Sequence, residues 1–213
     1  MVCDYGLCYE ELPICSFCIS HVQEAVTDRC EVCNKTANRC DCSTNEARHA
    51  FYYEGYFPRL IIRALKTRMD VTAADFVCEL AINCCGLCMG TFDGVAFVPR
   101  HKHNLRMYGY DQAEYLALCI SQKYGLDMLY AIERVGGREQ KLLSHAERLK
   151  NIRNKYRIRD DFHGENLYRK VLLIDDIYTT GATVRVCADL LRKNIAKAVI
   201  PLTLSKTNHQ TGS

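Results

Sequence analysis

Val171-Leu172-Leu173-Ile174-Asp175-Asp176-Ile177-Tyr178-Thr179-Thr180-Gly181-Ala182-Thr183 is the stretch on which the reading of this chain turns. The apolar residues at its head form the bare hydrophobic run of a strand buried on both faces, as parallel sheets require. Two adjacent carboxylates end that run, and a hydroxyl-rich loop then opens onto a helix predicted over residues 181–194. In open α/β sheets, ligands gather at the carboxyl ends of the strands. The first amides of a helix lack intrahelical partners and point outward, which makes its N-terminus an anion site.

Gly181 lets the backbone approach a phosphate closely. Thr179, Thr180 and Thr183 add hydroxyl donors around it, with Ala182 inside the same turn. Asp175 and Asp176 would repel a phosphate set beside them, but they suit vicinal sugar hydroxyls as hydrogen-bond acceptors. A phosphorylated ribose meets both demands: its 5-phosphate lies in the loop, and its 2- and 3-hydroxyls lie on the aspartates. A plain strand, turn and Thr-capped helix is the bland alternative.

Outward from this segment, strands are predicted over residues 50–53, 94–99, 127–132, 171–174 and 198–204. Helices are predicted over 58–68, 71–89, 111–124, 144–154 and 181–194. That alternation implies an α/β domain with a largely parallel sheet. The 213 residues carry 48% hydrophobic and 25% charged residues with a net charge of +3, the profile of an ordinary soluble globular protein. So mild a positive charge permits anionic ligands or nucleic acid without arguing for either. The apolar runs fall short of a membrane span, so no membrane insertion and a cytoplasmic location are expected. The polar tail from residue 205 is expected to fray.

The 171–183 segment closely resembles the phosphoribosyl pyrophosphate (PRPP) motif of type I phosphoribosyltransferases. Beyond it, the chain resembles the ComF family of competence-associated, phosphoribosyltransferase-like proteins over nearly its whole length. The supporting residues run from Tyr53-Glu54-Gly55 and Arg59 to Lys66, through Val98-Pro99 and Gly109-Tyr110-Asp111-Gln112-Ala113, to Gln140, Leu143-Ser144, Glu147-Arg148 and Asn151. Tyr108 departs from the arginine common in the family at that position, and the segment 134–140 is one residue shorter than the family pattern.

The resemblance implies a parallel-sheet type I phosphoribosyltransferase fold at residues 47–213, preceded by a zinc-finger module at 1–46. It also implies PRPP bound by Asp175, Asp176 and the loop 179–183, with Mg²⁺ accompanying the ligand. Lys66, Arg100, Lys102, Arg106, Arg134, Arg138 and Arg148 are placed where they could neutralise pyrophosphate oxygens. A solvated basic face is the other reading of these residues, and an ordinary turn is the other reading of the loop around Gly136-Gly137.

Eight of the 14 cysteines lie before residue 43. Cys15-x2-Cys18 and Cys30-x2-Cys33 have metal-knuckle spacing and are flanked by Cys3, Cys8, Cys40 and Cys42. The grouping preferred here gives Cys3, Cys8, Cys15 and Cys18 to one structural Zn²⁺, and Cys30, Cys33, Cys40 and Cys42 to another. One ion with spare cysteines and disulfide bonding remain alternatives. Cys78, Cys84, Cys85 and Cys88 sit in an apolar helical stretch and read as core packing. His101, His103 and His145 read as surface or ligand-side donors.

Three functions follow. The first is a ComF-like PRPP-binding protein acting in DNA uptake or DNA handling, with single-stranded DNA and the competence machinery as partners by family analogy. The second is an Mg²⁺-dependent phosphoribosyltransferase moving ribose 5-phosphate from PRPP to a nucleobase or amine. The third is a zinc-tethered scaffold with a vestigial pocket.

Overall fold

The computed structural model describes residues 47–53, 59, 61–62, 71–100, 109–135, 152–163 and 168–207. The cysteine-rich segment 1–46, most of the predicted helices 58–68 and 144–154, and residues 208–213 lie outside them. The elements are β1 (Arg48–Tyr52), α1 (Val71–Cys84), β2 (Gly94–Phe97), α2 (Gln112–Tyr124), β3 (Asp127–Leu129), β4 (Ile132–Arg134), β5 (Tyr156–Ile158), β6 (Tyr168–Tyr178), α3 (Ala182–Asn194) and β7 (Ala196–Lys206).

Five strands form a sheet in the order β1-β7-β6-β2-β3, with each neighbouring pair parallel. β4 and β5 form a separate antiparallel ribbon. Alternation along the central strands feeds two cores, because successive side chains leave a strand on opposite faces. Leu172 and Ile174 of β6, with Val95 and Phe97 of β2, join α1 and α2 residues such as Val77, Leu116 and Ile120. Val171, Leu173 and Ala96 point the other way, onto Val184, Cys187 and Leu191 of α3. The sheet is thus buried on both faces, as the bare apolar run predicts.

Several boundaries correct the sequence reading. The helix expected over 71–89 stops at Cys84. Gly86 takes φ 58°, the Gly86 amide donates to the Asn83 carbonyl and the Leu87 amide donates to the Ile82 carbonyl. This is a Schellman stop, which a glycine at that position makes cheap. Cys88 therefore lies beyond the helix and is exposed, whereas Cys78 and Cys85 are core residues as expected. The strand expected over 127–132 is divided, β3 joining the large sheet and β4 the ribbon. The strand expected over 94–99 closes at Phe97. β6 and β7 both exceed their predicted lengths because they pair continuously from Tyr168↔Ala196 to Tyr178↔Lys206. Ser205 and Lys206 are accordingly strand residues rather than frayed tail.

The chain leaves β2 towards β3 on one side and leaves β6 towards β7 on the other. β2 and β6 are neighbours, so the sheet's switch point lies between their carboxyl ends, where open α/β sheets leave a crevice.

Candidate functional site

That crevice holds a cleft with about 570 Å³ of empty space open to solvent. Val98, Pro99 and Arg100 after β2 line one side of it. Asp175 and Asp176 with Thr179, Gly181, Ala182 and Thr183 line another, and Arg134 of β4 and Tyr156 of β5 close a third. The structure brings together seven residues of the proposed PRPP and pyrophosphate sets beyond Asp175: Asp176, Thr179, Gly181, Ala182, Thr183, Arg100 and Arg134. Thr180 is not in the cleft wall. It is exposed, and its Oγ1 accepts from the Ala182 amide at 3.5 Å, so it is turned towards the helix start. Lys66, Lys102, Arg106, Arg138 and Arg148 lie outside the described residues, as do the eight N-terminal cysteines.

The aspartates are part of β6 rather than following it. The strand's alternation therefore separates them. Asp175 faces the α3 side with Leu173, while Asp176 faces the α1–α2 side with Ile174. Each is held by the backbone ahead of it: the Asp176 amide donates to Asp175 Oδ1 at 2.9 Å, and the Ile177 amide donates to Asp176 Oδ1 at 2.9 Å. Burial and the adjacent Asp176 charge raise the Asp175 pKa well above the usual carboxylate range. Asp176 is 8% exposed, and its second oxygen accepts from the Arg100 guanidinium.

Arg100 is itself held by a residue that the site assignment from sequence did not include. Asp111 Oδ2 accepts from the Arg100 amide at 2.8 Å, and Asp111 Oδ1 accepts from the Ala113 amide at 3.0 Å as the N-cap of α2. One buried carboxylate thus ties the loop after β2 to the start of α2. Its burial raises its pKa against the opposing pull of the Arg100 contacts. The Gly-Tyr-Asp-Gln-Ala motif was the available signal for Asp111.

At the loop, Gly181 caps α3 with φ 70° and ψ 0°, and a side chain there would collide with the Tyr178 phenol. Tyr178 is fixed in turn, its ring centroid 4.4 Å from that of His49 and its hydroxyl 3.4 Å from Arg185 Nη2. The glycine is therefore required both by its left-handed backbone and by the aromatic ring supporting the turn. Tyr156 had no signal in the sequence reading, since β5 is too short to show a period.

Fold and cleft together define an α/β protein with an acidic pair, a glycine-turned hydroxyl loop and two arginines at the switch point of a parallel sheet. The chain is similar to Competence protein F of Haemophilus influenzae, 33% identical over 102 residues. The match covers 46% of this chain and 44% of that protein, so it spans less than half the length of the relative. No protein-family model matches the chain. Three solved structures are similar to parts of this chain. One is described as the allosteric regulatory enzyme of purine biosynthesis (19% identity, 62% of this chain and 25% of that one, TM-score 0.42). Another is glutamine PRPP amidotransferase of B. subtilis, complexed with ADP and GMP (21%, 62% and 26%, TM-score 0.41). The third is orotate phosphoribosyltransferase of Aeropyrum pernix (12%, 70% and 76%, TM-score 0.39). Among the described residues, no helix is long and apolar enough to cross a membrane, and no group of three or more His, Cys, Asp and Glu side chains could hold a metal ion.

Proposed function

We propose that this is a ComF-like protein of the phosphoribosyltransferase family whose cleft binds PRPP or a closely related phosphoribosyl ligand. The observation carrying this reading is that Asp175 and Asp176, the loop residues Thr179, Gly181, Ala182 and Thr183, and two arginines all line one cleft. The ribose hydroxyls take the aspartates, the 5-phosphate takes the start of α3, and the pyrophosphate lies towards Arg100 and Arg134. Arg100 must exchange partners in this process. Its guanidinium leaves Asp176 to a sugar hydroxyl and turns to the ligand, while the Asp111 bond keeps its backbone in place.

An accompanying Mg²⁺ would be held largely by the pyrophosphate, the sugar hydroxyls and water, and would supply charge neutralisation on the pyrophosphate. Structural Zn²⁺ is assigned to the eight N-terminal cysteines by their spacing and thiolate chemistry. A role in DNA uptake or DNA handling, with single-stranded DNA and the competence machinery as partners, belongs to this proposal by family analogy; similarity to a protein named Competence protein F supports its competence part.

A second reading is favoured by two arginines facing the side where a leaving group would sit. In it, a nucleobase or amine nitrogen bonds to the anomeric carbon as the bond from that carbon to pyrophosphate breaks, and Arg100 and Arg134 stabilise the departing charge. Calorimetric titration with PRPP and Mg²⁺, followed by pyrophosphate-release assays across bases, separates the two. Saturable binding without release supports the first, and release with one base supports the second. Unchanged affinity in the Asp175→Ala/Asp176→Ala variant overturns both.

A further inference from the structure

Gln112, the first residue of α2, is 1% exposed, and neither its amide nitrogen nor its amide oxygen has a hydrogen-bond partner among the described residues. Burial raises the pKa of the nearby Tyr110 phenol and the Gln112 amide offsets part of that rise, yet no hydrogen bond joins the two. A carboxamide offers two donor and two acceptor sites, and leaving all of them buried and unfilled is costly. The fold shows what this amide faces. Gln112, Leu116 and Ile120 form one i, i+4 row on α2, and the latter two share a core with Leu172 and Ile174 of β6. Because β2 and β3 are parallel neighbours, α2 between them runs back from the carboxyl ends of the strands. Its row therefore runs opposite to Leu172, Ile174 and Asp176, which share one face of β6, and Gln112 comes level with Asp176. A second path leads to the same place. The Arg100 guanidinium bonds Asp176 and keeps its Nε 3.9 Å from Asp111 Oδ1, one residue before Gln112. In this state Arg100, not Gln112, lines the cleft.

Resting on the reading of the cleft as a phosphoribosyl site, we propose that Gln112 reads the ribose 2-hydroxyl, its amide nitrogen donating to the hydroxyl oxygen while the hydroxyl donates to Asp176. The order of the sugar carbons decides which hydroxyl this is. Carbon 3 adjoins the carbon bearing the 5-phosphate arm, so with the phosphate at the start of α3 the 3-hydroxyl falls to Asp175 on the α3 face. The 2-hydroxyl, one carbon further from the phosphate, reaches Asp176 on the other face, at the place that Arg100 gives up. A hydroxyl has one donor and two acceptor sites, and an ionised carboxylate can only accept. Asp176 therefore takes the hydroxyl's hydrogen and leaves its lone pairs to the Gln112 amide. Binding thus gives a partner to a buried group that otherwise has none. A sugar without the 2-hydroxyl forfeits that gain, which is the ground on which sites with buried polar groups discriminate most strongly.

The test uses the full chain, titrated calorimetrically with ribose 5-phosphate and with 2-deoxyribose 5-phosphate. The parent should bind the ribose form about tenfold or more tighter. Gln112→Met, close in length but apolar, should weaken ribose 5-phosphate about three- to tenfold and leave 2-deoxyribose 5-phosphate unchanged. Its melting temperature should hold or rise, because the substitution removes an unpaired buried amide. Weaker binding by a chain at least as stable is a pairing that damage to the fold does not produce. Gln112→Leu should behave alike, and it decides the matter should the Met variant fail to fold. Parental ribose 5-phosphate affinity in these variants overturns the proposal, as does an equal loss for both sugars, which marks a general distortion of the cleft. A melting temperature lowered by both substitutions overturns it too, since the amide is then partnered in the folded chain. A parent chain that binds neither sugar phosphate nor PRPP removes the phosphoribosyl reading itself, an outcome distinct from failure in the variants alone.

Discussion

At the scale of single residues, the site is built from groups that cost the fold something. Gly181 holds a left-handed backbone against the Tyr178 ring. Gly181→Ala should destabilise the protein by about 1–3 kcal/mol and weaken ribose 5-phosphate binding. Adding Tyr178→Ala should recover part of the binding by removing the collision, measured by urea denaturation alongside calorimetry; no recovery would mean that backbone strain alone is at work. Asp175 costs stability differently. Folding raises its pKa, through burial first and the Asp176 charge second, so the folded chain holds that proton more tightly than the unfolded one. Stability tied to this group is fully present below the ordinary carboxylate pKa and is lost as pH climbs through the raised value. Asp175→Asn should therefore raise the melting temperature at neutral pH, and the gain should vanish on acidification below the ordinary carboxylate range. A gain that grows in acid would contradict this account.

At the scale of elements, legibility in the sequence followed how loudly an element announces its ends. α2 was readable to within a residue because Asp111 caps it and Gly125 closes it at φ 64°. α1 was read too long because Leu87, Cys88 and Met89 continue its apolar pattern past the stop at Gly86. β4 and β5 were not separable from loop because three-residue strands show no period, and Arg157 faces outward to Glu133 at 2.6 Å. The cap on α2 also has a consequence for the site, because Asp111 holds the Arg100 amide as well as that of Ala113. Asp111→Ala should cost about 2–3 kcal/mol in urea denaturation, more than a cap alone, since it also orphans a second amide and loosens Arg100. Asp111→Asn keeps an oxygen for the helix and should cost less. Equal costs for the two would show that the charge facing Arg100, and not the cap, carries the effect.

At the scale of the whole molecule, one wall of the cleft was legible as a contiguous motif, whereas of the other only Arg134 was named from sequence and Tyr156 was missed. Asp175 and Asp176 with the loop 179–183 are contiguous in sequence, whereas Arg134 and Tyr156 meet them only through tertiary packing of the ribbon on α3. The same logic bears on residues 1–46, whose cysteines are the sequence's second strong pattern. Few periodic apolar residues lie there, so folding should depend on metal–thiolate bonds. β1, by contrast, pairs along β7 from Arg48↔Leu202 to Tyr52↔Lys206, and Ala47, Ala50 and Phe51 are buried in the two core clusters. A chain starting at Ala47 should therefore fold and bind PRPP with near-parental affinity, while the full chain should carry zinc that chelation removes. Two ions per chain support both cysteine groups, and one ion retires the weaker of them. Zinc-free protein, purified without chelators, would leave the N-terminal cysteines to another chemistry. If PRPP affinity instead collapses when the metal is stripped, the N-terminal segment helps to shape the cleft and the boundary at residue 46 is misplaced. Comparing affinity in the stripped chain with that of the chain from Ala47 distinguishes an active contribution from interference by an unfolded segment, because interference disappears when the segment is removed and a contribution does not return.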